Sequence, residues 1–103
     1  MNRIYFTITG TCHRYGQEFF EPKMLVHLVK EPDNEFDTEA IKVELEGLGH
    51  VGYVANSPYT VTGESYSAGR LYDKIGDAAE GTVLYVLLRA VLCYVNEDSL
   101  LEM

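Results

Sequence analysis

A strict alternation of apolar and polar residues constrains the fold of this chain more than any other feature. In residues 41–45, Ile41, Val43 and Leu45 alternate with Lys42 and Glu44. Successive side chains of a β-strand point to opposite faces, so this pattern gives one apolar face and one polar face. We therefore predict an antiparallel strand that buries one face in a core and exposes the other to water.

Four further segments have the composition of strands. Each is alternately or continuously apolar, and each is bounded by glycine, proline or polar turn residues. These segments are residues 4–9, 24–29, 50–54 and 82–95. Two glycines separate 41–45 from 50–54, which predicts a hairpin. Residues 82–95 are apolar on both faces, which predicts one long strand that is either central to a barrel or covered by another subunit.

One short helix is expected between the fourth and fifth strands. Residues 58–67 contain glycine and several hydroxyl side chains, which is typical of a loop. Ser67 is a suitable N-cap, Leu71 and Ile75 share one face, and Gly76 is a suitable stop. Five strands and one helix predict a mainly β fold, a small, partly closed antiparallel barrel of the OB-like or SH3-like type.

The composition indicates one small globular domain. The chain has 103 residues, of which 47% are hydrophobic, and this excludes disorder. We expect residues 1–96 to form the single domain and 97–103 an acidic C-terminal tail. No apolar run approaches the roughly 20 residues of a membrane span, and no secretory signal is visible, so we expect a soluble, cytoplasmic protein. In that compartment Cys12 and Cys93 are expected to be buried thiols.

The charge balance limits the ways in which this chain can bind nucleic acid. Sixteen acidic residues outnumber eight Lys and Arg, giving a formal net charge of −8. Most nucleic-acid affinity comes from Lys and Arg side chains that neutralise phosphates. The eight basic residues would have to cluster in space to form a phosphate-binding groove.

Residues 30–54 resemble the HIRAN domain family. In that family a strand ends in a basic residue, an acidic residue and Pro-x-Asn; an aromatic-Asp pair follows, then an Ala-Ile/Val-x-Val strand and a closing Val-Gly-Tyr/His. The matching residues are Glu31, Pro32, Asn34, Phe36, Asp37, Ala40, Ile41, Val43, Val51, Gly52 and Tyr53. The resemblance implies an OB-like barrel with helical insertions, which agrees with the strand pattern.

The resemblance also implies a non-catalytic site for the 3′ end of single-stranded DNA. In the family an aromatic side chain stacks on the terminal base, and the neighbouring Asp accepts a hydrogen bond from the free 3′ hydroxyl. By position this pair is Phe36 and Asp37. A carboxylate there would repel a 3′ phosphate. The further contacts that the resemblance implies fall on His13, Arg14, Tyr15 and Tyr53.

The residues also support a second interpretation. Phe36 can instead fill the barrel while Asp37 caps the turn. After Tyr53 the family usually has Pro and then Lys or Arg, whereas this chain has Ala55 and Asn56. With the acidic balance and the two-sided apolar segment 82–95, this departure favours a protein-interaction or self-assembly module that has lost nucleic-acid binding.

No residue pattern indicates catalysis, a metal site or a cofactor. Four acidic residues fall at ligand positions of a calcium loop: Asp33, Glu35, Asp37 and Glu44. The sixth position is Thr38 where glycine is required, and no helix pair flanks the loop. The histidines and cysteines lack zinc-site spacing. A weak anion site at the helix start, assisted by Arg70, is a further option.

Overall fold

The computed structural model describes residues 3–10, 19–88 and 90–101, which form a closed six-stranded barrel. The strands are β1 (Tyr5–Thr9), β2 (Leu25–Lys30), β3 (Ile41–Leu45), β4 (Gly49–Val54), β5 (Ala78–Val86) and β6 (Val91–Val95). Their order around the barrel is β1-β4-β3-β2-β5-β6, every neighbouring pair is antiparallel, and β6 closes on β1. The prediction of a mainly β antiparallel barrel is confirmed.

The predicted hairpin between the third and fourth strands is present. Lys42 pairs with Tyr53, and Leu45 pairs with Gly49. Gly47 and Gly49 have φ angles of 88° and 75°, which glycine adopts without steric cost. Because β4 runs antiparallel to β3, the end of β4 lies beside the start of β3.

The prediction of one long strand over residues 82–95 is wrong. The chain reverses within this segment, and the backbone NH of Leu87 donates to the carbonyl of Ala90 at 2.8 Å. The two arms are β5 and β6, which pair with each other and with β2 and β1. Residues 87–90 read Leu-Leu-Arg-Ala and contain no glycine, proline or asparagine, so the sequence carries no turn signal.

The helix begins where it was predicted and ends earlier. Helix α1 spans Ala68–Tyr72, and the Ser67 hydroxyl caps it by accepting from the backbone NH of Arg70 at 3.3 Å. The predicted end near Ile75 is wrong, because Ile75 pairs in an isolated antiparallel bridge with Leu100. A 3-10 helix (Glu97–Ser99) precedes this bridge, so residues 97–101 lie against the barrel.

The core fills the barrel with side chains from every strand and from α1. Its fully buried large side chains include Phe6, Ile8, Val26, Leu28, Ile41, Val43, Val51, Leu71, Ile75, Val83 and Val91. Cys93 is also buried, and burial raises the pKa of its thiol. Cys12 lies outside the described residues. In the part of the chain that the structure describes, every helix is too short or too polar to cross a bilayer.

The loop between β4 and α1, residues 55–67, covers the outer face of β1. Thr7 belongs to the polar face of its strand, yet it is fully buried. Its hydroxyl lies 2.8 Å from the Ser65 hydroxyl and accepts from the backbone NH of Thr62 at 3.1 Å. Farther along, the NH of Tyr66 donates to the carbonyl of Tyr5. The β4–α1 loop is therefore attached along β1.

Replacing Gly81 of β5 with alanine is expected to destabilise the barrel. A Cβ atom at Gly81 would lie 2.8 Å from the buried Phe6 ring and 2.9 Å from the carbonyl oxygen of Tyr94. Overpacking of this kind costs about 1–3 kcal/mol, and urea unfolding followed by circular dichroism measures the loss. Gly76→Ala is the matched control, because the nearest atom to its Cβ is 3.9 Å away. Equal stability of the two variants would contradict the tight contact with Phe6.

Candidate nucleic-acid interface

The turn between β2 and β3 and the end of β4 border an open cavity of about 550 Å³. We call residues 31–39 the acidic turn. The cavity is lined by Asn34, Phe36, Asp37, Ala40, Tyr53, Val54, Asn56 and Ser57. The antiparallel pairing of β3 and β4 explains the arrangement, since it places the end of β4 beside the turn that precedes β3. Three of the six predicted site residues, Phe36, Asp37 and Tyr53, therefore meet around one cavity.

Asn34 organises the acidic turn. Its side-chain oxygen accepts from the backbone NH groups of Phe36 and Asp37 at 2.9 and 3.0 Å, and its NH₂ group donates to Glu31 Oε1 at 3.1 Å. A side-chain amide that bonds the backbone two and three residues ahead fixes a turn much as a backbone carbonyl does. The sequence motif contained Asn34, but its role as the support of Phe36 and Asp37 becomes visible only in the structure.

Glu31 connects the acidic turn to β4. Its Oε1 also accepts from the Tyr53 hydroxyl at 2.8 Å. Burial acts to raise the pKa of Glu31, but the hydrogen bonds from Tyr53 and Asn34, together with the positive charge of Lys42, outweigh burial and lower it. Glu31 is therefore ionised at neutral pH. The Tyr53 ring also packs edge-on against His50, with centroids 4.7 Å apart.

Asp37 connects the acidic turn to the β4–α1 loop. Its Oδ1 accepts from the backbone NH of Glu39 at 2.9 Å, and its Oδ2 accepts from the Asn56 NH₂ group at 2.7 Å. Asn56 in turn accepts from the backbone NH of Gly69 at 2.8 Å. An ionised carboxylate has about four acceptor positions, so Asp37 retains capacity for a further donor.

Asn56 lines the candidate site, although the sequence did not indicate it. It stands where the family usually has Lys or Arg, and the departure suggested only the loss of a positive charge. In the structure the amide donates to Asp37 and accepts from Gly69, whereas a lysine or arginine side chain has no acceptor. This role depends on tertiary contacts, because Asp37 and Gly69 lie 19 and 13 residues away from Asn56 along the chain.

Phe36 does not fill the barrel. Its side chain is 93% exposed at the edge of the cavity. The second interpretation of the sequence also had Asp37 cap the turn. Asp37 does accept a hydrogen bond from the backbone NH of Glu39 in its own turn. His13, Arg14 and Tyr15 lie outside the described residues and stay predictions.

The cavity is lined by a ring, a carboxylate and amides, and no Lys or Arg from the described residues lines it. Nearby bases have other partners. Lys42 pairs with Glu44 at 3.2 Å, Lys30 donates to the carbonyl of Ile75 at 2.8 Å, and the Arg70 guanidinium stacks on the Tyr66 ring. Such a cavity is suited to stacking a planar ring and accepting a hydroxyl proton, and it disfavours a phosphate. The described ranges also contain no group of three or more metal-ligating side chains.

Exchanging the two side chains of the Asp37–Asn56 pair tests the pair directly. In Asp37→Asn, the side-chain oxygen of Asn still accepts from the NH of Glu39. Its NH₂ group then faces the NH₂ group of Asn56, and the hydrogen bond between residues 37 and 56 is lost. We expect the free energy of unfolding to fall by about 1–2 kcal/mol. Adding Asn56→Asp places a carboxylate acceptor opposite the new NH₂ donor. This double variant has the net charge of the wild type, and its free energy of unfolding should return towards the wild-type value. Urea unfolding of the wild type, both single variants and the double variant gives the coupling energy. Additive losses in the double variant would contradict the pairing.

The fold agrees with comparisons to known proteins. The model of the HIRAN domain family matches residues 1–101. No curated protein matches the chain significantly. A similar solved structure is the crystal structure of the HIRAN domain of human HLTF, with a TM-score of 0.60 and 18% identity, covering 95% of this chain and 79% of that chain. This structural likeness shows a shared fold. Since the family model spans nearly all of its residues, this chain belongs to the HIRAN domain family, whose members are generally DNA-binding modules.

Proposed function

We propose that this domain binds the 3′ end of single-stranded DNA and catalyses no reaction. The observation that supports this function best is the pair at the edge of the cavity, in which an almost fully exposed Phe36 adjoins the Asp37 carboxylate. The family's general DNA-binding role makes a nucleic acid the expected ligand. No paired nucleophile and base line the cavity among the described residues.

Phe36 supplies the stacking surface in this proposal. Its ring contributes little to the barrel, because the side chain is exposed, while its backbone is held by Asn34. Every nucleobase has a π-face, and stacking on an aromatic side chain contributes about 1–3 kcal/mol per base. A terminal base is free on one side, so it can stack on Phe36 without opening a base pair.

Asp37 reads the chemical nature of the end. The 3′ hydroxyl donates to a carboxylate oxygen, whose position is fixed by the NH of Glu39 and the amide of Asn56. A 3′ phosphate would bring negative charge to the same place, where no described Lys or Arg is available to neutralise it. Tyr53 closes one side with its ring. His13 and Tyr15 are proposed as further stacking groups, and Arg14 as a phosphate contact.

Fluorescence anisotropy with 5′-labelled strands tests the proposal. We compare single strands ending in a 3′ hydroxyl or a 3′ phosphate with a blunt duplex, at low and moderate salt. The 3′-hydroxyl strand should bind most tightly. Its salt slope should be shallow, about −0.7 for each phosphate contacted. Phe36→Ala should weaken binding by about 1–3 kcal/mol without changing the free energy of unfolding.

The control variants separate the site from the rest of the surface. Leu88→Ala removes an apolar side chain that is 91% exposed and does not line the cavity, so it should bind as the wild type does. The folded double variant Asp37→Asn/Asn56→Asp should bind the 3′-hydroxyl strand about tenfold more weakly, because a neutral acceptor replaces a charged one. Equal binding of the hydroxyl and phosphate ends would refute end recognition, and no binding to any strand would refute the proposed function.

A protein-interaction or self-assembly function is the second candidate, and the tip of the β5–β6 hairpin favours it. Tyr85 is 61% exposed and Leu88 is 91% exposed, so the hairpin presents apolar side chains to solvent. Because β5 and β6 are both paired within the closed barrel, association would use these side chains rather than a free strand edge. Sedimentation at several protein concentrations tests self-assembly. A self-assembling domain should associate as the concentration rises, and Leu88→Asp should abolish the association. A monomer at every concentration would contradict this function.

A further inference from the structure

The β4–α1 loop carries an exposed aromatic residue, Tyr59, two positions after Ser57, which lines the same cavity. Tyr59 is 95% exposed, close to the value for Phe36. One exposed aromatic ring is common on a protein surface. Here, however, the two rings lie on two segments that a hydrogen bond joins beside one cavity, since Asn56 of the loop donates to Asp37 of the acidic turn at 2.7 Å.

The backbone on both sides of Tyr59 is fixed. The Ser57 hydroxyl accepts from the NH of Tyr59 at 3.2 Å, and the Ser57 carbonyl accepts from the NH groups of Thr60 and Val61, both at 3.0 Å. The NH of Thr62 then donates to the buried hydroxyl of Thr7. The loop therefore holds the backbone of Tyr59 in place, and the ring gains nothing from the core.

Chain geometry limits how far Tyr59 lies from the cavity. Ser57 lines the cavity, and two residues of extended chain span at most about 7 Å. The backbone of Tyr59 is therefore within about 7 Å of a lining residue. An exposed ring carried by a backbone at that distance is suited to a base adjacent to the one on Phe36, since bases of a single strand are free to stack separately.

We infer that Tyr59 is a second stacking surface, which receives the base of the nucleotide that precedes the terminal one. This inference rests on the function proposed for Phe36 and Asp37. The two surfaces together make the site a reader of at least two nucleotides. Stacking accepts any base, so the second surface adds affinity for single strands without sequence preference.

Ligand length separates the two surfaces experimentally. The probes are thymidine 5′-monophosphate, titrated by NMR, and a 5′-labelled thymidine tetranucleotide with a free 3′ hydroxyl, titrated by anisotropy. Tyr59→Ala should weaken tetranucleotide binding about 5- to 150-fold and leave mononucleotide binding unchanged. Tyr59→Phe keeps the ring and should bind as the wild type does. Phe36→Ala should weaken both ligands, and Leu88→Ala neither.

A fluorescent variant gives a readout that does not depend on affinity. The chain contains no tryptophan, so Tyr59→Trp introduces a single reporter. At saturation the tetranucleotide should quench its emission, whereas the mononucleotide should not. Wild-type binding to both ligands with no loss in Tyr59→Ala and no quenching in Tyr59→Trp would overturn the second surface alone. If the wild type binds neither ligand, the function proposed for Phe36 and Asp37 fails, and the second surface fails with it.

Discussion

The hydrogen bond between Asp37 and Asn56 is the interaction on which the candidate site depends. It joins the acidic turn to the β4–α1 loop. Asn56 also accepts a hydrogen bond from the backbone NH of Gly69, which extends the connection to helix α1. The hydrogen bond from Gly69 orients the Asn56 side-chain amide, so only a hydrogen-bond acceptor fits opposite the Asn56 NH₂ group. The acidic residue at 37 therefore supports the loop structure as well as the proposed chemistry.

The same series of hydrogen bonds explains how a strongly acidic turn keeps its shape. Glu31 accepts from Tyr53 and Asn34, and Asp37 accepts from Glu39 and Asn56, so each carboxylate is stabilised by neutral donors. At Glu31, hydrogen bonds to the charged form compensate desolvation together with Lys42, whose Nζ lies 3.9 Å from Glu31 Oε2. The cavity thus remains negative and open, which suits a hydroxyl donor and a neutral ring better than a phosphate.

The sequence predicted those parts of the fold whose cause is local. Alternation predicted β3, two glycines predicted the β3–β4 hairpin, and Ser67 predicted the start of α1, because each of these signals lies in neighbouring residues. The β5–β6 hairpin was missed because residues 87–90 contain no glycine, proline or asparagine and the surrounding segment 82–95 is largely apolar. Family resemblance placed Phe36 and Asp37 at the site. Asn56 escaped prediction because its role depends on partners brought close only by the closed barrel.

The acidic balance is compatible with the proposed recognition of a DNA end. Electrostatic attraction to phosphates supplies nearly all non-specific affinity for duplex and internal strand positions. A domain with a net charge of −8 and no described base in its cavity lacks most of that background. Stacking and a charged hydrogen bond depend little on counterion release, so they still operate at an end. Weak attraction elsewhere then increases the ratio of end binding to background, because specificity is a difference of affinities. In the proposed function, negative charge therefore disfavours duplex and internal strand positions, while the aromatic and carboxylate groups favour the 3′ end.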